Sequence, residues 1–185
     1  PRLAQIYDEP FADSSQIPTF LVSRMTREHV TVALSGDGGD ELFCGYSRYP
    51  GTVNAWNNRH SLQARLRHLA TFMPPELMAR IIQLAVPGQK GRAAITLAER
   101  LRQEAQSARA NSLPEYYRRR VSFWAEPEAL VKGAIEPDYA LTGDIPVSVQ
   151  DDPLKTLMWL DLNWYLPDDI LVKVDRAAMA CSLET

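Results

Sequence analysis

Ordinary packing does not explain the run Ser35-Gly36-Asp37-Gly38-Gly39-Asp40-Glu41-Leu42-Phe43-Cys44, closed by Gly45-Tyr46. It follows Val30-Thr31-Val32-Ala33-Leu34, an apolar, β-rich run that reads as a buried strand, and it leads into residues that can start a helix. Strand, flexible loop and helix start are therefore expected in succession. Gly36, Gly38 and Gly39 let the backbone turn sharply and bring its N–H groups close to a ligand, as in loops that cradle phosphates. Yet Asp37, Asp40 and Glu41 would repel a bare phosphate. The arrangement makes sense if a hard divalent cation bridges carboxylate and phosphate oxygens, so a Mg-nucleotide or Mg-pyrophosphate site is expected.

A plainer reading stands beside it. Acidic, glycine-rich loops after strands are often solvated turns, with Asp40 then serving as helix N-cap and Glu41 lying favourably on the helix dipole. Two look-alikes fall away. Gly38-Gly39-Asp40-Glu41-Leu42-Phe43 is close to the GGDEF signature of diguanylate cyclases, but that motif sits on a hairpin, and strong helix formers follow here. A Walker A loop needs Gly-Lys-Ser/Thr at its end, which this run lacks.

With 185 residues, 45% of them hydrophobic, and a net charge of −3, the chain is long enough to bury a core, and it reads as one domain or part of one. No apolar run approaches the ~20 residues of a membrane helix. Cys44 and Cys181 form neither a CxxC pair nor a disulfide framework and read as reduced, packed thiols of a cytoplasmic protein. His29, His60 and His68 show no metal-ligand spacing with them. Residues 59–120 hold twelve of the twenty Lys and Arg but four of the twenty-three Asp and Glu. These arginines interleave with Leu, Ile and Ala at helical spacing, so they are expected on solvated helix faces and not on nucleic acid.

The layout is mostly helical. Asp13 to Ser15 can cap a helix whose apolar stripe, Ile17, Phe20, Leu21 and Met25, is expected to lie on the strand that follows. A loop is expected around Pro50-Gly51, then helices near 59–72 and 75–86, a break at 86–91, and helices near 93–109 and 114–122. Pro127, Pro137 and Pro146 punctuate a looser stretch. Asp152-Pro153 opens a helix through Tyr165, on which Trp159 and Trp164 read as core, and Pro167 starts another helix. On that last helix Lys173 and Arg176 lie three apart on one face, with Asp169 placed to pair with Lys173.

Three segments together resemble the synthetase domain of glutamine-hydrolysing asparagine synthetases, in order from one end of the chain to the other. They are Asp8-Glu9-Pro10-Phe11-Ala12-Asp13-Ser14-Ser15-Gln16-Ile17-Pro18, the loop Leu34 to Tyr46, and Tyr165-Leu166-Pro167-Asp168-Asp169-Ile170-Leu171-Val172-Lys173-Val174-Asp175-Arg176 with Met179-Ala180 and Ser182-Leu183-Glu184. The middle, with Tyr116-Tyr117-Arg118 and Phe123-Trp124, resembles the bacterial branch. The resemblance implies an α/β, predominantly helical fold, part of a PP-loop ATP pyrophosphatase domain of the adenine-nucleotide α-hydrolase type. It also implies a ligase. ATP adenylates the side-chain carboxylate of aspartate, pyrophosphate leaves, and ammonia from a glutaminase domain of the same polypeptide displaces AMP.

By position, Ser35, Gly36, Gly38 and Gly39 would bind ATP and pyrophosphate, Asp40 would hold Mg2+, and Asp37, Lys173 and Arg176 would be catalytic. Many relatives carry Glu where this chain has Asp37. Asp8, Asp13, Ser14 and Ser15 are weaker candidates for the substrate pocket. The SGGxDS loop and the N-terminal cysteine glutaminase domain are not in these 185 residues, so residues 1–185 read as a partial domain, expected to be inactive alone. Two other readings stay open: an amidotransferase acting on a sugar acid in surface-polysaccharide synthesis, and a non-catalytic interaction module. A homodimer is among the assemblies left open.

Overall fold

The structure is a computed structural model that describes residues 3–7, 9–61, 73–85, 91–122, 124, 130–135 and 145–185. Asp8, Phe123, most of the helix expected at 59–72, all but Gly91 of the break at 86–91, and the turns at Pro127 and Pro137 lie outside the described residues. The helical expectation holds. The strand does not: among the described residues no strand forms, and Val30 to Leu34 contributes only one isolated parallel bridge, Val32 to Glu184. Ala33 N–H donates to Glu184 O at 2.9 Å and Glu184 N–H to Thr31 O at 3.0 Å. An apolar run becomes a buried strand when neighbours flank it and layers cover both faces. Here Val32 remains 56% exposed and Leu34 98%.

The chain divides into two compact units, Pro1–Tyr46 with Met158–Thr185, and Ser47–Leu157. The first unit carries α1 (Leu3–Ile6), α2 (Gln16–Arg27) and α3 (Gly39–Phe43), the end of α9 (Pro153–Asn163), a π-helical turn at Leu166–Leu171, and α10 (Val172–Met179). Asp13 organises the start of α2 by accepting from Ser15 N–H at 2.8 Å and Ser15 Oγ at 2.7 Å. Helix α2 packs against α10, and the face it buries is not the expected one. Of the expected stripe Ile17, Leu21 and Met25 are exposed and Phe20 is half-buried, while Ser23 is buried on α2 and Ala177 and Ala178 on α10. Small side chains let the two backbones approach closely. The hydroxyls are satisfied within the helix, Thr19 donating to Ser15 O and Ser23 to Thr19 O, each at 2.9 Å.

The second unit is built on α4 (Arg48–Asn57), α5 (Pro75–Ala85), α6 (Arg92–Ser107), α7 (Leu113–Val121), α8 (Val147–Gln150) and the first turn of α9. Helix α4 replaces the loop expected around Pro50-Gly51. Pro50 is its third residue, where a missing N–H costs the helix nothing because first-turn N–H groups have no intrahelical acceptor. Met78, Ala79 and Ile82 of α5 bury against Ala94 and Ala98 of α6, with Met73, Leu97 and Leu101 around them. Ser112 caps α7 by accepting from Glu115 N–H at 3.3 Å, and Glu115 Oε2 accepts in turn from Asn111 N–H at 2.9 Å. Asp152 does the same for α9, its Oδ1 accepting from Leu154 N–H at 3.0 Å. The expected helices beginning near 75, 93, 114 and 153 are therefore found, each within two residues of its sequence signal.

Candidate functional site

The glycine loop turns directly into a helix and does not form a hairpin. Gly39 N–H closes a turn onto Gly36 O at 3.2 Å, and Leu42 N–H continues it onto Gly38 O at 3.0 Å. Gly38 caps α3 with φ +85°, a backbone state that an L side chain resists, and it is buried under Leu166 of the π-helical turn. Because Gly38 takes the cap, Asp40 falls at the second helical position and is not the N-cap. Ser35, Gly36, Asp37 and Asp40 are exposed and Gly39 is half-buried. The acidic side chains thus divide: Asp37 and Asp40 face outward, while Glu41 is buried and accepts from Tyr46 Oη at 2.7 Å.

Gly45 has a different reason to be glycine. A Cβ there would strike the Asp40 carboxylate and crowd the Asp40 Cα at 3.0 Å, so Asp40 lies folded over Gly45, whose N–H also donates to Asp40 O at 2.9 Å. Cys44 makes the bend between them in a left-handed conformation, φ 59°. Loop, helix and bend together fix where the Asp40 side chain can go.

Lys173 is held by a partner that sequence spacing did not select. Its Nζ lies 2.7 Å from Asp13 Oδ2, with the two side chains 12% and 21% exposed. Asp169, which spacing places to pair with it, acts through its charge instead. Burial alone would lower the Lys173 pKa, but the Asp13 hydrogen bond and the charges of Asp13, Asp169 and Tyr165 outweigh it and raise it above the usual lysine value. Burial would likewise raise Asp13, and the bonds from Lys173 and Ser15 hold it below the usual carboxylate range. Asp169 is raised, first by burial and then by the neighbouring Asp13 charge. Tyr7 completes the group, its Oη donating to Lys173 O at 3.2 Å. Arg176, three residues on, is exposed. The described contacts of Lys173 run to this acidic cluster and not to Asp37 or Asp40.

Sequence reasoning missed the π-helical turn that carries Asp168 and Asp169. Its only sequence sign is Pro167, which takes the second position and was read as an ordinary helix start. It also missed the pairing of buried Glu41 with half-buried Tyr46, for which aromatic and carboxylate five residues apart give no standard signal. Among the described residues no group of three or more His, Cys, Asp or Glu is placed to hold a metal on protein ligands alone.

The glycine loop, with Asp37 and Asp40 exposed, and the largely buried Lys173 thus belong to one compact unit. The chain belongs to the asparagine synthase family, whose members it matches over residues 1–185. A provisionally named glutamine-hydrolyzing asparagine synthetase of Mycobacterium tuberculosis is 33% identical over 196 residues, covering 100% of this chain and 26% of that protein. Glutamine-hydrolyzing asparagine synthetase 1 of Bacillus subtilis is 28% identical, covering 100% and 27%. A similar protein of Methanocaldococcus jannaschii is 35% identical, covering 96% and 31%. The chain thus spans about a quarter of the length of the first relatives it matches. No solved structure matches it.

Proposed function

We propose that this chain supplies part of the synthetase site of a glutamine-dependent asparagine synthetase. In this reading ATP adenylates the side-chain carboxylate of aspartate, and glutamine-derived ammonia, delivered from a glutaminase domain of the same polypeptide, displaces AMP. The observation that carries the reading is the loop itself: Gly38 turns it in a left-handed conformation, leaving Asp37 and Asp40 exposed at its sides. Ser35, Gly36 and Gly39 would receive the phosphates. Mg2+ fits this donor set, because it is commonly held by one or two carboxylates together with substrate phosphates and keeps several waters. Asp40 would hold it, and the ion would supply neutralisation of phosphate charge. Asp37 would position the nucleotide for attack by the aspartate carboxylate. Lys173, kept protonated by Asp13 and Asp169, would offset negative charge developing in the transition state, with Arg176 as a second cation.

The test is aspartate-dependent pyrophosphate release by the protein as encoded. Asp37→Asn keeps the side-chain shape and removes its charge. Release is expected to fall by about two orders of magnitude or more, with glutamine hydrolysis largely retained. Release at the wild-type rate would leave Asp37 as a solvated turn residue and remove the loop from the chemistry.

A further inference from the structure

The second unit contains a cavity of about 470 Å³ lined by residues of α4, the turn that follows it, α6 and α7, among them Asn54, Asn58, Arg59, Glu104, Tyr116 and Arg120. Its size falls within the range of small-molecule sites, roughly 300–1,000 Å³. None of these residues belongs to the glycine loop or the Lys173 cluster.

Arg59 is unusually constrained. Its guanidinium carbon lies 3.3 Å from the centroid of the Trp56 ring, and its Nη1 donates to Trp56 O at 2.8 Å. Trp56 is itself braced by Tyr116, with ring centroids 5.4 Å apart. The group is thereby fixed in orientation, yet its Nε is buried and has no hydrogen-bond partner among the described residues. A buried cationic N–H left without an acceptor is costly, and native structures rarely leave one without cause. Planar guanidinium edges match carboxylates, because two parallel N–H donors meet two oxygens.

The rest of the lining narrows the ligand. Arg120 adds a second cation, its Nη1 donating to Tyr116 Oη at 3.4 Å, and Glu104 brings a carboxylate to the lining, so the charges there sum to one positive. The remaining single positive charge suits a monoanion better than a doubly charged phosphate. Asn58 Nδ2 donates to both Asn54 O and Asn54 Oδ1 at 2.9 Å, which leaves the Asn58 carbonyl oxygen and the Asn54 amide as groups able to meet a further polar atom. We propose that this cavity binds a small monocarboxylic acid carrying a second hydrogen-bonding group, with Arg59 gripping the carboxylate. The site is independent of the synthetase reading, since it shares no residue with it.

Isothermal titration of the protein as encoded tests this with lactate as probe, and with neutral propane-1,2-diol and inorganic phosphate as separate arms. Saturable lactate binding in the millimolar range is expected, with no binding of the diol and weaker binding of phosphate. Arg59→Lys keeps the charge and loses the fork, so lactate affinity is expected to fall at least about tenfold with the thermal midpoint unchanged. Should that variant lower the midpoint, Arg120→Gln decides, with a loss of similar size expected. No saturable lactate binding, equal binding of the diol, tighter binding of phosphate, or unchanged affinity in properly folded Arg59→Lys and Arg120→Gln would each overturn the proposal.

Discussion

Lys173 and Asp13 meet at 2.7 Å across 160 residues of sequence, joining α10 to the loop before α2. Both side chains are largely buried, so the pair differs from an exposed ion pair, which contributes little. Removing one partner would leave the other charge uncompensated. Lys173→Met is therefore expected to destabilise the first unit by about 1–3 kcal/mol, and Asp13→Asn by a similar amount. The double variant should recover part of the loss. Denaturant midpoints across the four proteins measure the coupling directly.

The pair also sets a pH window. The Asp13 pKa is depressed in the folded state, so its stabilisation is present above the unfolded carboxylate value of about 4 and is lost as pH falls through the lower folded value. The Lys173 pKa is raised, so its stabilisation is full below about 10.4 and is lost as pH rises through the higher folded value. Asp169 opposes Asp13. Its raised pKa means the folded state holds that proton more tightly, so stability falls as pH rises from about 4 through the raised value. Asp169→Asn is expected to steepen the gain in stability between pH 3 and 6, read from urea midpoints; an unchanged slope would remove Asp169 from the cluster.

The loop glycines separate fold from ligand binding. At Gly38 the φ of +85° makes any side chain strained, and Leu166 lies 3.5 Å from where a Cβ would be. Gly38→Ala is expected to cost about 1–2 kcal/mol. A Cβ at Gly36 meets nothing within 4 Å. Gly36→Ala should leave the thermal midpoint alone, and if Gly36 touches phosphate as proposed, it should raise the KM for ATP. Thermal melting beside ATP titration of the rate distinguishes the two.

What the sequence disclosed follows from the range of the forces involved. Helix starts at Pro75, Leu113 and Pro153 were legible because caps and prolines act within one turn. The glycine run was legible as a turn into a helix, since Gly38 supplies a conformation that other residues avoid. The fate of Val30 to Leu34 was not, because a strand is decided by neighbours distant in sequence, and Glu184 alone pairs with it among the described residues. For the same reason spacing offered Lys173 only Asp169, its neighbour one turn away, when a partner 160 residues distant holds it. The exposed stripe of α2 and the small-residue face it buries show the same limit: periodicity locates an apolar face without saying what covers it.

Gly45 offers the sharpest test of how the loop aims its carboxylate. A methyl group there would collide with Asp40, and the 3.0 Å approach to the Asp40 Cα is to backbone, so side-chain rotation alone cannot relieve it. Either the bend at Cys44 opens or the Asp40 carboxylate is driven off its position. Gly45→Ala is therefore expected to cost about 1–3 kcal/mol of stability, the usual range for overpacking. If Asp40 holds Mg2+ as proposed, the variant should also need a higher Mg2+ concentration for half-maximal pyrophosphate release. Asp40→Asn serves as the comparison, because it removes the charge without adding bulk. A raised Mg2+ requirement in both variants would tie the metal to the Asp40 carboxylate and its placement by Gly45. Loss of stability in Gly45→Ala with the wild-type Mg2+ requirement in both would leave Gly45 as a packing residue and exclude Asp40 as the ligand.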